Sequence, residues 1–266
     1  MNILIPMAGE GSRFKKEGYK VHKPILPITS HITGKKIPMV VAATMDLHFT
    51  NLQNNSLYYI VRNFHIESNI DADIKNYYKD AKFISIKDIT DGQASTCLLA
   101  KKIINNDQSL IISACDNGLK YSIEDFNNTT LKADVIVFTF RKNYAVEENP
   151  EQYGWVNCDM DNNVKSVSIK KAISDNPLND HAICGTFWFK KGSDFVQSAE
   201  QMIALKDKVN GEYYVDQAIH HCIANGLKVK VVEVDDYFCW GTPKELEFYE
   251  KTIEYWSEYL DTEKKI

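Results

Sequence analysis

Five short runs rich in Ile and Val recur along the first half of the chain, with helix-period segments between them. They are Asn2 to Met7, Leu57 to Arg62, Ala81 to Ile86, Ser109 to Cys115 and Ala133 to Phe140. Their apolar residues do not alternate strictly with polar ones, as expected of strands covered on both faces. Strands that alternate with helices are the pattern of a parallel sheet built from βαβ units. The intervening helices are predicted over Pro38 to Phe49, with Pro in the first turn, Phe64 to Tyr78 and Gln93 to Asn105. Residues 1–140 thus read as a doubly wound α/β layer.

From Tyr153 the texture changes. Gly154 to Cys158 and Val164 to Ile169 flank the turn-rich Asp159-Met160-Asp161-Asn162-Asn163, which predicts a hairpin. A Pro/Asn/Asp-rich loop, Ser174 to His181, leads into a strand over Ala182 to Lys190. Helices follow at Ser193 to Leu205 and Tyr214 to Ala224, then a strand at Leu227 to Val234. The last helix, Pro243 to Leu260, carries Leu246, Tyr249, Ile253, Trp256 and Leu260 at spacings of three and four, a stripe for core packing or for a dimer seam. No repeat, low-complexity tract or long linker divides the chain, so residues 1–266 read as one unit.

Composition narrows the partners. With 44% apolar and 25% charged residues over 266 positions the chain is expected to fold, which excludes disorder and fibrous repeats. Lys and Arg number 31 against 36 Asp and Glu, so there is no basic excess of the kind that marks a nucleic-acid binder. The longest apolar stretches, such as Met39 to Met45, fall far short of the roughly 18 residues a membrane span needs. The start, Met1 to Pro6, lacks a basic n-region and reads as a strand rather than a signal peptide, which predicts a cytoplasmic protein. Six cysteines, at 97, 115, 158, 184, 222 and 239, are scattered without metal-binding spacing and read as free thiols. His220 and His221 point about 100° apart on a helix and do not easily share an ion. One partly buried and one exposed ring is the expected arrangement.

The segment Pro6-Met7-Ala8-Gly9-Glu10-Gly11-Ser12-Arg13-Phe14 follows the first strand directly. Its glycines let the backbone approach a ligand, its N–H groups can form an anion nest, and Arg13 adds a positive fork. This is a candidate phosphate site. A dinucleotide fingerprint would need Gly where Phe14 stands and an acid about 20 positions onward, where His22 and Lys23 stand. Walker A fails as well, because Gly34-Lys35 has Thr29 where it would need Gly. Lys23 precedes Pro24, so a lysine on a stiff backbone lies within reach of the glycine loop.

These motifs together resemble the sugar-phosphate nucleotidyltransferases, also called nucleoside-diphosphate-sugar pyrophosphorylases. The likeness rests on Gly-Xaa-Gly-Ser-Arg-Phe, Lys23-Pro24, and Gly34 with Pro38-Met39 opening a helix. It continues through Asp91-Gly92-Gln93-Ala94, Ala114-Cys115-Asp116, Tyr153-Gly154-Trp155-Val156, Lys170, Gly185-Thr186, Asn210-Gly211-Glu212-Tyr213-Tyr214 and Gly241-Thr242-Pro243. The resemblance implies a Rossmann-like nucleotidyltransferase fold with a mixed, mostly parallel central sheet flanked by helices and a small β-rich acceptor region. Residues 1–140 would bind nucleotide, 141–242 the acceptor, and 243–266 would form a terminal helix.

It also implies residue roles. Met7, Ala8, Gly9, Gly11, Ser12, Arg13, Lys23, Gly92, Gln93 and Ala94 would bind an NTP; Tyr153, Gly154, Lys170, Gly185, Thr186 and Glu212 would bind a phosphorylated small molecule. Arg13, Lys23, Asp116 and Lys170 would carry catalysis, with Mg²⁺ on Asp116. Other readings stand beside these: Asp116 as a turn cap, Gln93 as a helix opener, Glu212 as a cap, and Lys171 in place of Lys170.

Two departures bear on substrate. Hexose-specific members usually carry Glu-Lys and an Asn shortly before the later Gly; here the places read Ile169-Lys170 and Ile183-Cys184-Gly185. The acceptor is then a sugar phosphate or a small non-sugar phosphate such as phosphocholine or phosphoglycerol. Many members place a second metal aspartate two residues before the terminal Gly-Thr, where Cys239 stands; Asp235 and Asp236 lie just upstream and Asp236 is taken as the substitute, with a solvated strand end for Asp235-Asp236 as the other reading. The resulting expectation is transfer of an NMP group from CTP, UTP or dTTP, with release of pyrophosphate, for surface polysaccharide synthesis. A catalytically silent nucleotide-binding relative is the competing reading, and retention of Arg13, Lys23 and Asp116 argues against it.

Overall fold

Each of the five apolar runs forms a strand. The computed structural model describes residues 1–48 and 54–263. In chain order, β1 (Asn2–Pro6) leads to α1 (Ser12–Lys16), a ribbon of β2 (Pro27–Thr29) and β3 (Lys36–Pro38), and α2 (Met39–Met45). Then come β4 (Ser56–Arg62), α3 (Asn63–Glu67), α4 (Ile70–Lys75), β5 (Lys82–Ile86), α5 (Gln93–Leu98), α6 (Lys101–Ile104) and β6 (Leu110–Ser113). The second half runs β7 (Asn117–Lys120), α7 (Ile123–Thr130), β8 (Val135–Phe140), α8 (Ala145–Glu148), β9 (Gly154–Cys158), β10 (Val164–Ile169) and β11 (His181–Phe189). It closes with α9 (Gly192–Ala204), α10 (Val215–Ala224), β12 (Val229–Glu233), β13 (Asp236–Cys239) and α11 (Pro243–Glu263).

A nine-stranded sheet takes the order β10-β9-β11-β6-β1-β4-β5, with β8 on β11 and β12 on β8. β1, β4, β5, β6, β8, β9 and β12 run one way and β10 and β11 run against them. The sheet is mixed and mostly parallel, as the resemblance implies. Side chains alternate between two cores, as a period of two requires. Ile3, Ile5, Tyr59, Val61, Ile136 and Phe138 face α2, α4, α7 and α11. Leu4, Ile60, Val135, Val137, Phe187 and Phe189 face α5, α6, α9 and α10.

The long strand β11 positions the second half of the site. Its end pairs with β6 (Thr186 opposite Ser113), whereas its start pairs with β9 (Ala182 opposite Trp155). The β9–β10 hairpin consequently stands beyond the carboxyl end of β6, and brings Tyr153, Gly154 and Lys170 back to the level of Asp116.

Several expectations are corrected. The helix over 64–78 is two helices, because Asn69 adopts a left-handed conformation between them. That over 93–105 also divides, at a tightened turn in which the Leu99 and Ala100 N–H groups bond to Thr96 and Cys97. α2 begins at Met39 with Pro38 as its cap, and the predicted end, Phe49, lies outside the described residues. The β7–β13 ribbon is unforeseen, since Asn117-Gly118 and Asp236 are poor strand formers. Tertiary contacts hold it: the buried Asp46 carboxyl group accepts the Leu119 N–H at 2.8 Å, and a Cβ on Gly118 would meet Asp46 at 2.7 Å and Trp240 at 2.8 Å.

On α11 the stripe divides: Leu246 and Tyr249 are buried and Ile253 packs on the core, while Trp256 and Leu260 are exposed. All six cysteines are free, and Cys97, Cys184 and Cys222 are buried. His221 is buried on Asp207 at 2.8 Å and His220 is exposed. No helix among the described residues is long and apolar enough to cross a membrane.

Candidate active site

The first parallel strand delivers the glycine loop. The Met7 N–H still bonds to Ile60 O at 2.9 Å, and beyond it the chain leaves the sheet. Gly11 turns into α1 at φ +61°, a conformation that favours glycine. Phe14, which stands where a dinucleotide loop needs glycine, is a buried packing residue, and the Lys23 ammonium lies 5.5 Å from its ring centroid.

Lys23 opens a short 3₁₀ turn over Lys23–Ile25 that Pro24 stiffens. Its Nζ donates to Asp116 Oδ2 at 2.5 Å and to the Gly241 carbonyl at 3.0 Å. Burial alone would push the Asp116 carboxyl up. The Lys23 ammonium, through charge and hydrogen bond, and Arg13 override this and hold it below the usual carboxylate range. Asp116 follows β6, and its carbonyl accepts the Trp240 N–H at 3.0 Å. The β7–β13 ribbon thereby lays Cys239 to Gly241 against Asp116.

A third segment is pinned between the halves. Gly92, at φ +114°, packs so closely that a Cβ would lie 2.6 Å from the backbone N and O of Tyr213. The Tyr213 N–H bonds to Asp91 O at 2.7 Å and the Ala94 N–H to Tyr213 O at 2.9 Å. Two motifs about 120 residues apart in sequence become one unit, with Gln93 opening α5 and Glu212 beside it.

These segments surround a cavity of about 590 Å³ lined by Met7, Ala8, Gly9, Gly11, Ser12 and Arg13. Lys23, Gly92, Gln93, Asp116 and Glu212 line it as well, so eleven of the predicted site residues meet there. The opening lies at the carboxyl ends of β1, β4 and β6, where open α/β sheets bind ligands.

Lys170 stands beside the cavity. Its ammonium bonds to the Gln152 carbonyl and lies 5.6 Å from the Tyr214 ring centroid. Burial lowers its pKa, and the Asp216 charge opposes this. Tyr153 and Gly154 are buried beneath it, and the Lys170 N–H bonds to Tyr153 O at 3.0 Å. Gly185 accepts the Ala114 N–H at 3.0 Å and shapes the backbone at φ +76°.

Three predicted residues face elsewhere. The Ala94 side chain is in the core. The Thr186 hydroxyl is buried against Ser113 at 2.8 Å, so it offers nothing to an acceptor. Asp236 lies opposite Lys120 at the far end of the ribbon and is paired with it at 3.6 Å. At about 3.3 Å per strand residue it is some 10 Å along from the residues beside Asp116, because a four-residue strand separates them.

Other residues went unread in the sequence. Asp216, in the first turn of α10, lies against Lys170; burial pushes its carboxyl up to about 6, and Lys170 opposes the rise. A Cβ on Gly154 would fall 2.2 Å from Asp216 Oδ2, so only glycine admits it there. His65 also lines the cavity, with Nδ1 accepting the Arg62 N–H at 3.2 Å. Glu245, in the first turn of α11, has an Oε2 sealed from solvent with no hydrogen-bond partner. Its Thr-x-x-Glu context reads only as a helix cap in the sequence.

No group of three or more His, Cys, Asp or Glu side chains that would cage a metal is found among the described residues. The donors near Asp116 still fit Mg²⁺, which takes one or two carboxylates and fills its shell from water and phosphate oxygens. The orphaned Glu245 oxygen is a buried acceptor of the hard kind that ion prefers.

No protein-family model and no curated protein sequence matches the chain. Solved structures do. A nucleoside-diphosphate-sugar pyrophosphorylase from Vibrio cholerae RC9 is 18% identical, with a TM-score of 0.74 over 94% of this chain and 99% of that one. A UDP-glucose pyrophosphorylase solved with UDP-glucose is 15% identical, with a TM-score of 0.70 over 97% and 98%. An inositol-1-phosphate CTP transferase from T. maritima is 13% identical, with a TM-score of 0.65 over 95% and 93%. The resemblance read from the motifs thus holds for the architecture, and the chain has the nucleotidyltransferase fold of the nucleoside-diphosphate-sugar pyrophosphorylases.

Proposed function

We propose that the chain transfers an NMP group from CTP, UTP or dTTP to a phosphorylated small molecule, a sugar phosphate or a small non-sugar phosphate, and releases pyrophosphate. The observation that carries this is the meeting of the Gly9–Gly11 loop, Arg13, Lys23 and Asp116 in one cavity at the carboxyl ends of parallel strands. An oxygen of the acceptor phosphate bonds to the α-phosphorus as the bond to the bridging oxygen of the β-phosphate breaks, and pyrophosphate leaves with that electron pair. The protein has no covalent work to do, so positioning and charge neutralisation carry the rate.

Arg13 and Lys23 hold the triphosphate, Gln93 faces the base, and Lys170 holds the acceptor phosphate. Asp116 would hold Mg²⁺, which when bound neutralises charge on the phosphate oxygens. Residues 1–140 serve the nucleotide and 141–242 the acceptor, with α11 as the closing helix. The absence of hydroxyl-binding side chains at Ile169 and at Ile183-Cys184 weighs against a hexose phosphate, since apolar or thiol groups cannot replace those hydrogen bonds. Synthesis of a surface polysaccharide is the role this product would serve.

The test is pyrophosphate release with Mg²⁺, crossing the NTPs against phosphorylated sugars, polyols, amino alcohols and amino acids. A single productive pair establishes the reaction and both substrates. NTP binding without release by any pair points first to an acceptor outside the panel and second to the silent relative, and absence of NTP binding overturns the reading.

A further inference from the structure

We propose that Glu245 is the second carboxylate of the divalent-cation site, reaching from the first turn of α11 to face Asp116 across Gly241. This rests on the reading of Asp116 as a metal ligand given above. Three positions compete for the role. Cys239 stands where the resemblance expects an aspartate, but a thiol is a soft donor ill suited to Mg²⁺. Asp236 is at the far end of the ribbon, paired with Lys120.

Glu245 is in place. A Cβ built on Gly241 would lie 3.5 Å from Asp116 Oδ2, 3.6 Å from Cys239 Sγ and 3.6 Å from Glu245 Oε2. The two carboxylates thus border one small space that glycine leaves clear, next to the expected position of the missing aspartate. Helix capping accounts for only part of this arrangement. The Glu245 N–H bonds to Thr242 Oγ1 at 3.2 Å, which fixes the backbone, yet Oε2 is buried with no N–H or O–H donor on it and only the weak donor Cys239 against the carboxylate. An orphaned carboxylate oxygen is costly to bury, so its retention here calls for a cation. Charge points the same way. The Lys23 ammonium beside this space is already committed to Asp116 and the Gly241 carbonyl. A divalent ion held by the two carboxylates would offset the negative charge that this ammonium leaves unpaired.

The experiment titrates Mn²⁺ alone into the full chain, without nucleotide, and reads free Mn²⁺ by electron paramagnetic resonance. The wild type is expected to bind saturably, and Glu245→Gln to bind about tenfold more weakly or worse, the scale on which even outer partners of a metal act. Asp236→Asn should bind as the wild type does, and Glu245→Asp should fall between. Melting controls for folding: without metal, Glu245→Gln should melt no lower than the wild type, and only its Mn²⁺-induced rise should be lost. Wild-type affinity in Glu245→Gln, or no saturable Mn²⁺ binding by the wild type, overturns the proposal. NTP-induced thermal stabilisation, measured alongside, separates the two failures: if it persists, only the Glu245 assignment falls; if it is absent, the nucleotidyltransferase reading falls.

Discussion

Lys23 and Asp116, 93 residues apart in the chain, are joined by a 2.5 Å hydrogen bond from Nζ to Oδ2. The same ammonium reaches the Gly241 carbonyl at 3.0 Å, so one side chain ties the Lys23–Ile25 turn, the residues after β6 and the approach to α11 together. Removing it as Lys23→Ala should cut turnover by on the order of 10²-fold or more, the usual scale for a charge-stabilising group. It also strips Asp116 of its cation and should lower the melting temperature. Steady-state pyrophosphate release and a thermal melt check both effects, and unchanged turnover would sink the role given to Lys23.

Lys23 and Asp116 were legible in the sequence because Lys-Pro and a carboxylate after a buried strand are local patterns. The parallel half of the sheet was legible for the same reason, since Ile/Val runs and glycine-bounded helices report on themselves. Glu245 and Asp216 were not. Each sits in the first turn of a helix, where an acid is expected on grounds of capping alone, and only the packing of Gly241 and Gly154 shows what it faces. Asp236 misled for the converse reason: nearness in sequence to Gly241-Thr242 says nothing about which end of an unforeseen ribbon it occupies.

Gly92→Ala should disable nucleotide binding. The new Cβ would meet Tyr213 backbone atoms at 2.6 Å at a φ that side chains rarely adopt, so the turn carrying Gln93 must move off the Tyr213 segment. The expected result is a lower melting temperature together with loss of NTP-induced stabilisation. A variant that keeps full NTP stabilisation would show that this turn does not shape the base site.

Lys170→Ala should separate the two substrates. Lys170 lies outside the cavity proposed to hold the nucleotide and beside the hairpin, so the KM for the acceptor should rise about tenfold or more while NTP binding changes little. Asp216→Asn should shift the same constant in the same direction by less, because Asp216 acts through the Lys170 ammonium. An effect on NTP affinity equal to that on the acceptor would contradict the division of the site.

Stability should carry the signature of Asp46. Burial pushes this carboxyl up to about 8, against the Leu119 N–H bond that opposes the rise. Unfolded, it ionises near 4. Between those values the folded chain keeps a proton that the unfolded chain has lost, so the stabilisation is complete below about pH 4 and is lost as pH climbs toward 8. Asp46→Asn should flatten the fall in melting temperature between about pH 5 and 8. An unchanged slope would mean that Asp46 is not the group responsible.

Nucleotidyl transfer moves the α-phosphorus and no other, so a label on that atom reports the reaction. With NTP labelled at the α-phosphate, Mg²⁺ and the productive acceptor, the label should pass into the acceptor product in equal amount to the pyrophosphate released. Label recovered as free NMP or NDP, with the acceptor unlabelled, would make the protein a hydrolase or a γ-phosphoryl transferase and rule out nucleotidyl transfer.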